Sequence, residues 1–329
     1  MKRREFIVGL GSVAAVAWPP HAHAQPDGRT RRIGILDRGD EADRLIQVQQ
    51  GAMREELAKL GWIEGRNVRF EHRFAADDPE RLRLYADELV RLGPDVIVAT
   101  SLAATRSLQQ HTRTISIVFV SVGDPVAGGL LSHIARPEGN VTGVTSIYQS
   151  MAGKWLELLK EAAPRTTRIA LIFVPGIVVE NYLPVIDTAA GALGVKAIQT
   201  PYRDAAELER AIDAFAAEPN GGLVMVPPPP ALGHRELVNR LAIKHRLPTI
   251  YSSKYSPAEG SLMGYGADTV TLVRSAASYV DRILRGAKIS ELPVQFPTKF
   301  DLVINLKTAE AIGLDIPPTL RARADEVIE

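Results

Sequence analysis

Residues 68–100 read VRFEHRFAADDPERLRLYADELVRLGPDVIVAT, and this stretch carries the pattern that decides the fold. It begins and ends with short runs rich in β-branched or aromatic residues, 68–74 and 96–100, which predict strands. Between them, over 79–92, apolar residues recur at spacings of three and four, as on one face of a helix, and Gly93 follows its end. Strand, helix and strand in this order predict parallel strands covered by a helix.

The same alternation extends in both directions. Strand-like runs lie at 32–36, 68–74, 96–100, 117–120 and 141–145, and a second set lies at 169–173, 197–200, 223–226, 249–251 and 302–305. Helix-like segments lie at 47–60, 79–92, 154–163, 205–217, 235–245 and 268–284. Two successive sets predict an α/β protein of two doubly wound parallel-sheet lobes with a cleft between them.

The tail of the chain predicts how the lobes are joined. We expect the break after the fifth strand, near 146–150, a return to the first lobe for the helix at 268–284, and a last strand in the second lobe. Several crossings make a multi-strand hinge about which rigid lobes close. The predicted division is 31–147 plus 265–292 for the first lobe and 148–264 plus 293–329 for the second.

The N-terminus predicts export. Lys2, Arg3 and Arg4 precede an uncharged, mostly apolar stretch over 6–18, and 22–24 offer an A-x-A cleavage pattern. Residues 1–24 are therefore interpreted as a cleaved export signal. The arginine pair resembles a twin-arginine signal, but Lys2 stands where serine or threonine is usual, so the twin-arginine and general secretory routes both stay open.

Composition narrows the function classes. The 329 residues carry a net charge of +1, which argues against a nucleic-acid partner, and they include no cysteine. Disulfides, thiolate metal sites and a lipid anchor on cysteine are thereby excluded. We expect a soluble, monomeric periplasmic protein without stable membrane insertion.

Enzymatic motifs are missing from the sequence. It contains no G-x-S-x-G elbow, no Walker loop and no H-E-x-x-H. Outside the signal no two histidines are three or four residues apart, so no helical metal pair exists. We therefore expect no catalytic residue, no metal and no cofactor, although a spatial cluster would be invisible at this level.

Several motifs together resemble a known family. They are VGDPVAGGL at 122–130, ARPEGNVTG at 135–143, GW at 61–62 with EGRNV at 64–68, PTKF at 297–300, NLKTA at 305–309, GL at 313–314 and RAD at 323–325. In this order they resemble the ABC-transporter substrate-binding family that includes tryptophan- and tyrosine-binding proteins. The resemblance covers essentially the whole mature chain. It implies a type I periplasmic-binding fold, a small-molecule ligand and an ABC permease in the inner membrane as partner.

Ligands of wound α/β sheets bind outside the carboxyl ends of the strands, and this rule selects the candidate residues. In the first lobe they are Asp37, Thr100, Ser101, Ala103, Ser121, Asp124, Thr145 and Ser146. Thr100 or Ser101 suits the N-cap of a helix whose free N–H groups could hold a carboxylate. A plain helix cap is the alternative there, and a structural turn is the alternative for Asp124.

The second lobe offers a corresponding set: Pro175, Asn181, Pro227, Tyr251 and Tyr265. The run of prolines at 227–230 predicts a stiff extended wall, or simply a surface loop. Tyrosines at a cleft could stack on a ring or bond a polar group, and packing against a strand is the alternative.

These observations favour the solute-binding component of an ABC importer that closes two lobes over a small organic ligand, an amino acid or an aromatic acid. The alternative is a periplasmic ligand-sensing module that acts on a membrane receptor or kinase. An enzyme is less favoured.

Overall fold

The computed structural model describes residues 29–146, 149–175, 182–227 and 232–329. The predicted export signal, residues 1–24, and the candidate Asn181 lie outside the described residues.

The first sheet contains five parallel strands in the order β2-β1-β3-β4-β5. They are β1 Arg31–Asp37, β2 Val68–Phe74, β3 Val96–Ala99, β4 Ser116–Val122 and β5 Val141–Thr145. Three helices connect the first four strands: α1 Arg44–Lys59, α2 Pro79–Arg91 and α3 Leu102–His111. Each helix begins after a residue whose side chain accepts a hydrogen bond from a backbone N–H of the first turn. These residues are Asp43 for α1, Asp78 for α2 and Ser101 for α3.

The second sheet contains seven strands in the order β12-β11-β10-β9-β8-β6-β7. They are β6 Arg168–Phe173, β7 Lys196–Pro201, β8 Gly221–Met225, β9 Thr249–Tyr251, β10 Met263–Gly266, β11 Asp301–Asn305 and β12 Glu326–Ile328. The remaining helices are α4 Met151–Ala162, α5 Leu183–Leu193, α6 Ala205–Ala216, α7 Leu232–His245, α8 Thr269–Leu284, α9 Leu306–Ile312 and α10 Pro318–Arg323. The predicted fold class, two wound α/β lobes, is confirmed.

One strand pair departs from the parallel prediction. Strands β10 and β11 are antiparallel, with Tyr265 opposite Leu302. Between them the chain leaves the second lobe, forms α8 and comes back. It therefore re-enters the second sheet beside the end of β10, and β11 runs in the opposite direction. A parallel strand would need a crossover connection that returns the chain to the other end of the sheet.

Helix α8 belongs to the core of the first lobe. Its buried face, which includes Leu272 and Val280, packs with residues of α1 and of strands β1, β3 and β4. The Trp62 indole N–H, just beyond α1, donates to the Asp281 carboxylate of α8 at 2.8 Å. Sequentially distant segments thus form one core, as the return of the chain in the sequence prediction requires.

The crossings lie a few residues later than predicted. Tyr265 was placed in the first lobe, yet it pairs within the second sheet. Val294 and Gln295 were placed in the second lobe, yet their N–H groups donate to Ile134 and Gly143 of the first lobe at 2.8 and 3.0 Å. The chain is extended on both sides of each crossing, so the periodicity of the sequence alone could not show to which sheet these residues belong.

The fold predicts a stability effect at α8. Leu272→Ala is expected to lower the free energy of unfolding by about 2–5 kcal/mol, because the leucine is buried in the first-lobe core. Its neighbour Thr271 is exposed, so Thr271→Ala should stay within about 0.5 kcal/mol of the parent. Urea unfolding followed by circular dichroism measures both; similar values for the two variants would contradict the placement of α8.

Candidate functional site

A cavity of about 500 Å³ lies between the two lobes. The first lobe lines it with the ends of β1, β3 and β4, the loop at 76–77 and the start of α1. The second lobe contributes side chains that follow β9 and, from α7, Arg235. The carboxyl ends of parallel strands therefore face the cavity, where ligands of wound sheets bind.

Five of the predicted residues line this cavity: Asp37, Thr100, Ser101, Ser121 and Ser146. They come from the ends of four consecutive strands of the first sheet or the residues directly after them. The structure thus brings together residues that lie up to 109 positions apart in the sequence. Their assignment as ligand contacts stays a prediction.

Asp37 and Thr100 form the centre of the first-lobe wall. One carboxylate oxygen of Asp37 accepts from the Gly39 N–H and from the Thr100 hydroxyl, both at 3.0 Å. The other oxygen lies 3.9 Å from Nε2 of His72. That imidazole stacks on Phe74, and both of its nitrogens are buried without a hydrogen-bond partner. One oxygen of Asp37 is thus held in place by the protein, which fixes the carboxylate at the cavity wall.

Ser101 combines the two interpretations that the sequence left open. Its hydroxyl oxygen accepts from the Ala104 N–H at 3.1 Å, so it is the N-cap of α3, and it also lines the cavity. The positive end of the ten-residue helix α3 therefore lies at the cavity wall. Ala103 is exposed in the first turn but does not line the cavity.

Ser121 has a backbone conformation unusual for its type. Its φ is 60°, in the left-handed region, and it lies where the pairing of β4 with β5 shifts register between Val120 and Val122. Such a conformation costs energy for a residue with a Cβ, and here it occurs at a residue that lines the cavity.

Other first-lobe candidates have structural roles instead. The Asp124 carboxylate accepts from the Val126 and Ala127 N–H groups, both at 2.9 Å, and from the Gln149 side chain at 2.7 Å. Asp124 therefore caps a turn and holds the crossing between the lobes. The Thr145 hydroxyl donates to the Gln295 carbonyl at 3.2 Å, which is also a hinge contact.

Neither predicted tyrosine reaches the cavity. Tyr251 is 1% exposed, packs among α6 and α7 and donates to the Asn239 side chain at 3.1 Å. Tyr265 packs against Phe300, with ring centroids 6.2 Å apart. Both predictions are corrected here for the same reason: these residues lie within strands, and their side chains point into the layers that cover the sheet.

The two predicted prolines also lie away from the lining. Pro175 is exposed after β6, and Pro227 is buried after β8. Neither is among the residues that line the cavity, and the rest of the proline run, 228–230, lies outside the described residues.

The sequence prediction missed the charged residues of the cavity. Arg38 pairs with Asp77 at 2.7 Å within the first lobe. Arg235 of the second lobe contacts Asp43 and Glu259, each at 2.9 Å. The only local signals were the Asp37-Arg38-Gly39 loop and the N-cap position of Asp43, whereas nothing in the local pattern marks Arg235 on its helix.

Burial governs the titration of the acids in this group. Burial raises the pKa of Asp77 and outweighs the opposing effect of Arg38. Burial likewise raises the pKa of Glu259 although Arg235 lies against it. For Arg235 burial acts to lower the pKa, but Glu259 and Asp43 outweigh it and leave the pKa raised. Among the described lining residues, carboxylates outnumber guanidinium groups by five to two.

The described residues contain no group of three or more histidine or acidic side chains placed to hold a metal ion. No helix among them has both the length and the apolar character needed to cross a membrane.

Comparison with known proteins gives concordant matches. Residues 41–328 match the family model described as ABC transporter substrate binding protein. The "Tyrosine-binding protein" of Clostridioides difficile (strain R20291) is 26% identical over 267 residues, covering 78% of this chain and 74% of that protein. A conserved domain protein of Vibrio cholerae has a TM-score of 0.83 at 25% identity and covers 91% of this chain and 100% of its own.

A structure of a Streptococcus pneumoniae ABC domain in complex with L-Trp superposes equally well. Its TM-score is 0.83 at 20% identity, again over 91% of this chain and 100% of that one. At this identity the likeness shows the fold, which agrees with the two wound lobes described above.

The raised pKa of Asp77 predicts a pH effect. A raised pKa means that the folded protein favours the protonated acid, so folding becomes less favourable as pH rises above about 4. Asp77→Asn removes this ionisation, and asparagine tolerates the left-handed backbone found there, φ 60°. The stability of the variant relative to the parent should therefore increase between pH 4 and pH 7 in denaturant unfolding. A constant or decreasing difference would contradict the burial of this carboxyl.

Proposed function

The chain belongs to the ABC transporter substrate-binding protein family, and on this premise we propose that it binds an amino acid between its lobes and delivers it to a membrane importer. Its family consists of solute-binding proteins, which supports binding rather than catalysis as the activity of the cavity. The permease of an ABC importer in the inner membrane is the proposed partner, and the periplasm, reached through the signal at 1–24, is the proposed location.

The observation that carries the amino acid assignment is the pairing of Asp37 with the start of α3. The Thr100 hydroxyl donates to Asp37 at 3.0 Å, and Ser101, the next residue, caps the helix. An acidic group that suits an ammonium thus lies beside a helix N-terminus that suits a carboxylate. An α-amino acid carries these two charged groups on one carbon atom, so it can use both at once.

The rest of the cavity suits an apolar or aromatic side chain. Leu45 and Ile46 of α1, with Val273 of α8, give apolar surface, and Tyr255 lies on the second-lobe side. The volume of about 500 Å³ lies within the usual range for small-molecule sites. A tyrosine-binding relative and a structural neighbour with L-Trp support tyrosine or tryptophan as ligand.

The acid excess argues against a ligand that is only an anion. Both described arginines of the lining already contact carboxylates, Arg38 with Asp77 and Arg235 with Asp43 and Glu259. A simple aromatic acid would bring one more negative charge and leave Asp37 without a cation. Between the two ligand classes left open by the sequence, the electrostatics of the site therefore favour the amino acid.

The first test is a ligand screen. L-tyrosine and L-tryptophan are expected to raise the melting temperature of the mature protein, because ligand at a hundred times its Kd stabilises the native state by about 2.7 kcal/mol. 3-Phenylpropionate and indole-3-propionate, which lack the ammonium, should give a clearly smaller shift. An equal shift for the deaminated acids would contradict the role given to Asp37, and no shift with any amino acid would contradict the proposed ligand class.

The second test isolates Asp37. Asp37→Asn keeps an oxygen for Gly39 and Thr100 but removes the charge, so amino acid affinity should fall about 10- to 100-fold, the worth of a charge-assisted hydrogen bond. Glu41→Gln is the matched control, since it removes the same charge from an exposed residue of the same loop that does not line the cavity, and it should change affinity less than about threefold. Isothermal titration calorimetry with L-tyrosine decides; comparable losses in both variants would indicate a general charge effect instead.

A further inference from the structure

A hydrogen-bonded pair of polar side chains interrupts the apolar cavity wall that α1 and α8 form. Leu45 and Ile46 line this wall from α1, and Val273 lines it from α8. Gln49, one turn further along α1, and Thr269, one turn earlier in α8, line it as well. The Gln49 side-chain nitrogen donates to the Thr269 hydroxyl at 2.7 Å. The wall that suits an apolar side chain therefore also carries an amide.

The neighbours of Thr269 fix the orientation of this amide. Burial raises the pKa of Tyr255, and a hydrogen bond with the Thr269 side chain acts against that rise. A hydrogen bond that lowers the pKa of a phenol is one donated to its oxygen, so the Thr269 hydroxyl donates to Tyr255. The same hydroxyl therefore accepts from Gln49, and the amide nitrogen of Gln49 points to Thr269.

The carbonyl oxygen of Gln49 is left over as an acceptor. It accepts a hydrogen bond from no residue in the described part of the chain, and it is not among the fully buried unpartnered atoms. The Tyr255 hydroxyl, by contrast, is already engaged, because it donates to Asp268 at 2.5 Å. Tyr255 thus offers the cavity its ring, whereas Gln49 offers an accessible oxygen.

Gln49 lies about one helical turn from the place where α1 meets Asp37. A Cβ placed on Gly39 would touch Ile46 and would lie 3.7 Å from Oδ1 of Asp37, so the Ile46 side chain lies beside that carboxylate. Gln49 follows Ile46 by three residues, a rise of about 4.5 Å along the helix axis. An aromatic side chain that extends along α1 from an ammonium at Asp37 passes Ile46, and its far end reaches Gln49.

We propose that the carbonyl oxygen of Gln49 determines specificity among aromatic amino acids, by accepting from the phenol O–H of tyrosine or the indole N–H of tryptophan. Phenylalanine would cover this oxygen with a ring that has no donor, and an acceptor deprived of water and of a partner costs free energy. A site that hydrogen-bonds a ligand hydroxyl in this way rejects the analogue that lacks it. This inference rests on the proposed function, because it assumes an amino acid whose ammonium is at Asp37.

A series of ligands tests the proposal on the parent protein. In isothermal titration calorimetry, L-tyrosine and L-tryptophan are expected to bind about tenfold more tightly than L-phenylalanine, the worth of one hydrogen bond whose loss leaves its acceptor unsatisfied. 4-Fluoro-L-phenylalanine adds an atom at the position of the hydroxyl but no donor, so it should bind like phenylalanine. 4-Amino-L-phenylalanine has a donor there and should bind like tyrosine. Affinities that follow ring size instead would overturn the proposal.

Variants assign the effect to the amide. Gln49→Met keeps a long, unbranched side chain without the acceptor, so tyrosine should weaken about tenfold to the level of phenylalanine, while phenylalanine keeps its affinity. Thr269→Val keeps the shape of the threonine but releases the amide, so it should lower the ratio of tyrosine to phenylalanine affinity in the same direction. Gln47→Met is the matched control, because Gln47 is exposed on the same helix and does not line the cavity, and this ratio should stay unchanged.

The outcomes separate this inference from the proposed function. If tyrosine, tryptophan and phenylalanine bind the parent with equal affinity, the cavity is an amino acid site and the role of Gln49 is wrong. The role is also wrong if Gln49→Met weakens tyrosine and phenylalanine by the same factor, because a merely structural residue gives a uniform loss. If none of the three binds, the proposed ligand class fails and this inference fails with it.

Discussion

The parallel register of β1 and β3 is the constraint on which the site depends. It pairs Leu36 with Ala99, so that the next residues, Asp37 and Thr100, leave the sheet side by side. One loop then turns into α1, and the other turns into α3. Because the strands are parallel, both turns occur at the same edge of the sheet, and an acidic carboxylate and a helix N-terminus are brought together with no further device. The hydrogen bond from Thr100 to Asp37 fixes the result.

The crossings of the chain between the lobes determine how the two lobes can move relative to each other. Lys254, after β9, contacts Asp268 at the entry to α8 at 3.4 Å and Asp301 at the start of β11 at 2.6 Å. One ammonium group thus holds two crossings together, while the first crossing is tied by Asp124 and Gln149. Bonds that hold the hinge are distinct from bonds that hold the cleft, so the lobes can separate about the crossings without loss of either lobe's core.

The parts of this structure that were predictable are local in origin. Strand ends and helix caps follow from short patterns, and Asp37, Thr100 and Ser101 were found because each lies at the carboxyl end of a strand in a parallel sheet or within two residues of it. Tyr251 failed the same rule because all three residues of β9 are buried, so alternation could not say which way its last side chain points. The faces of a fully buried strand look alike in sequence.

Arg235 was unpredictable for a different reason. Its partners, Asp43 and Glu259, lie 192 and 24 residues away, and one belongs to the other lobe. Only the packing of the two lobes against each other brings Asp43 to Arg235. On a lone helix an arginine in the first turn opposes the helix dipole, and a sequence rule would expect it to point into water.

The energetic cost of placing Arg235 at a helix N-terminus explains why it contacts two carboxylates, Asp43 and Glu259. An arginine at a helix N-terminus, shielded by a second lobe, needs more than one carboxylate, and each carboxylate needs another donor when the lobes part. Asp43 has the start of α1, and Glu259 has Arg235 itself in its own lobe. The interlobe contact can therefore be broken and remade at the cost of one hydrogen bond. Because Asp43 and Glu259 each have a partner within their own lobe, breaking the Arg235–Asp43 contact leaves neither carboxylate without a hydrogen bond.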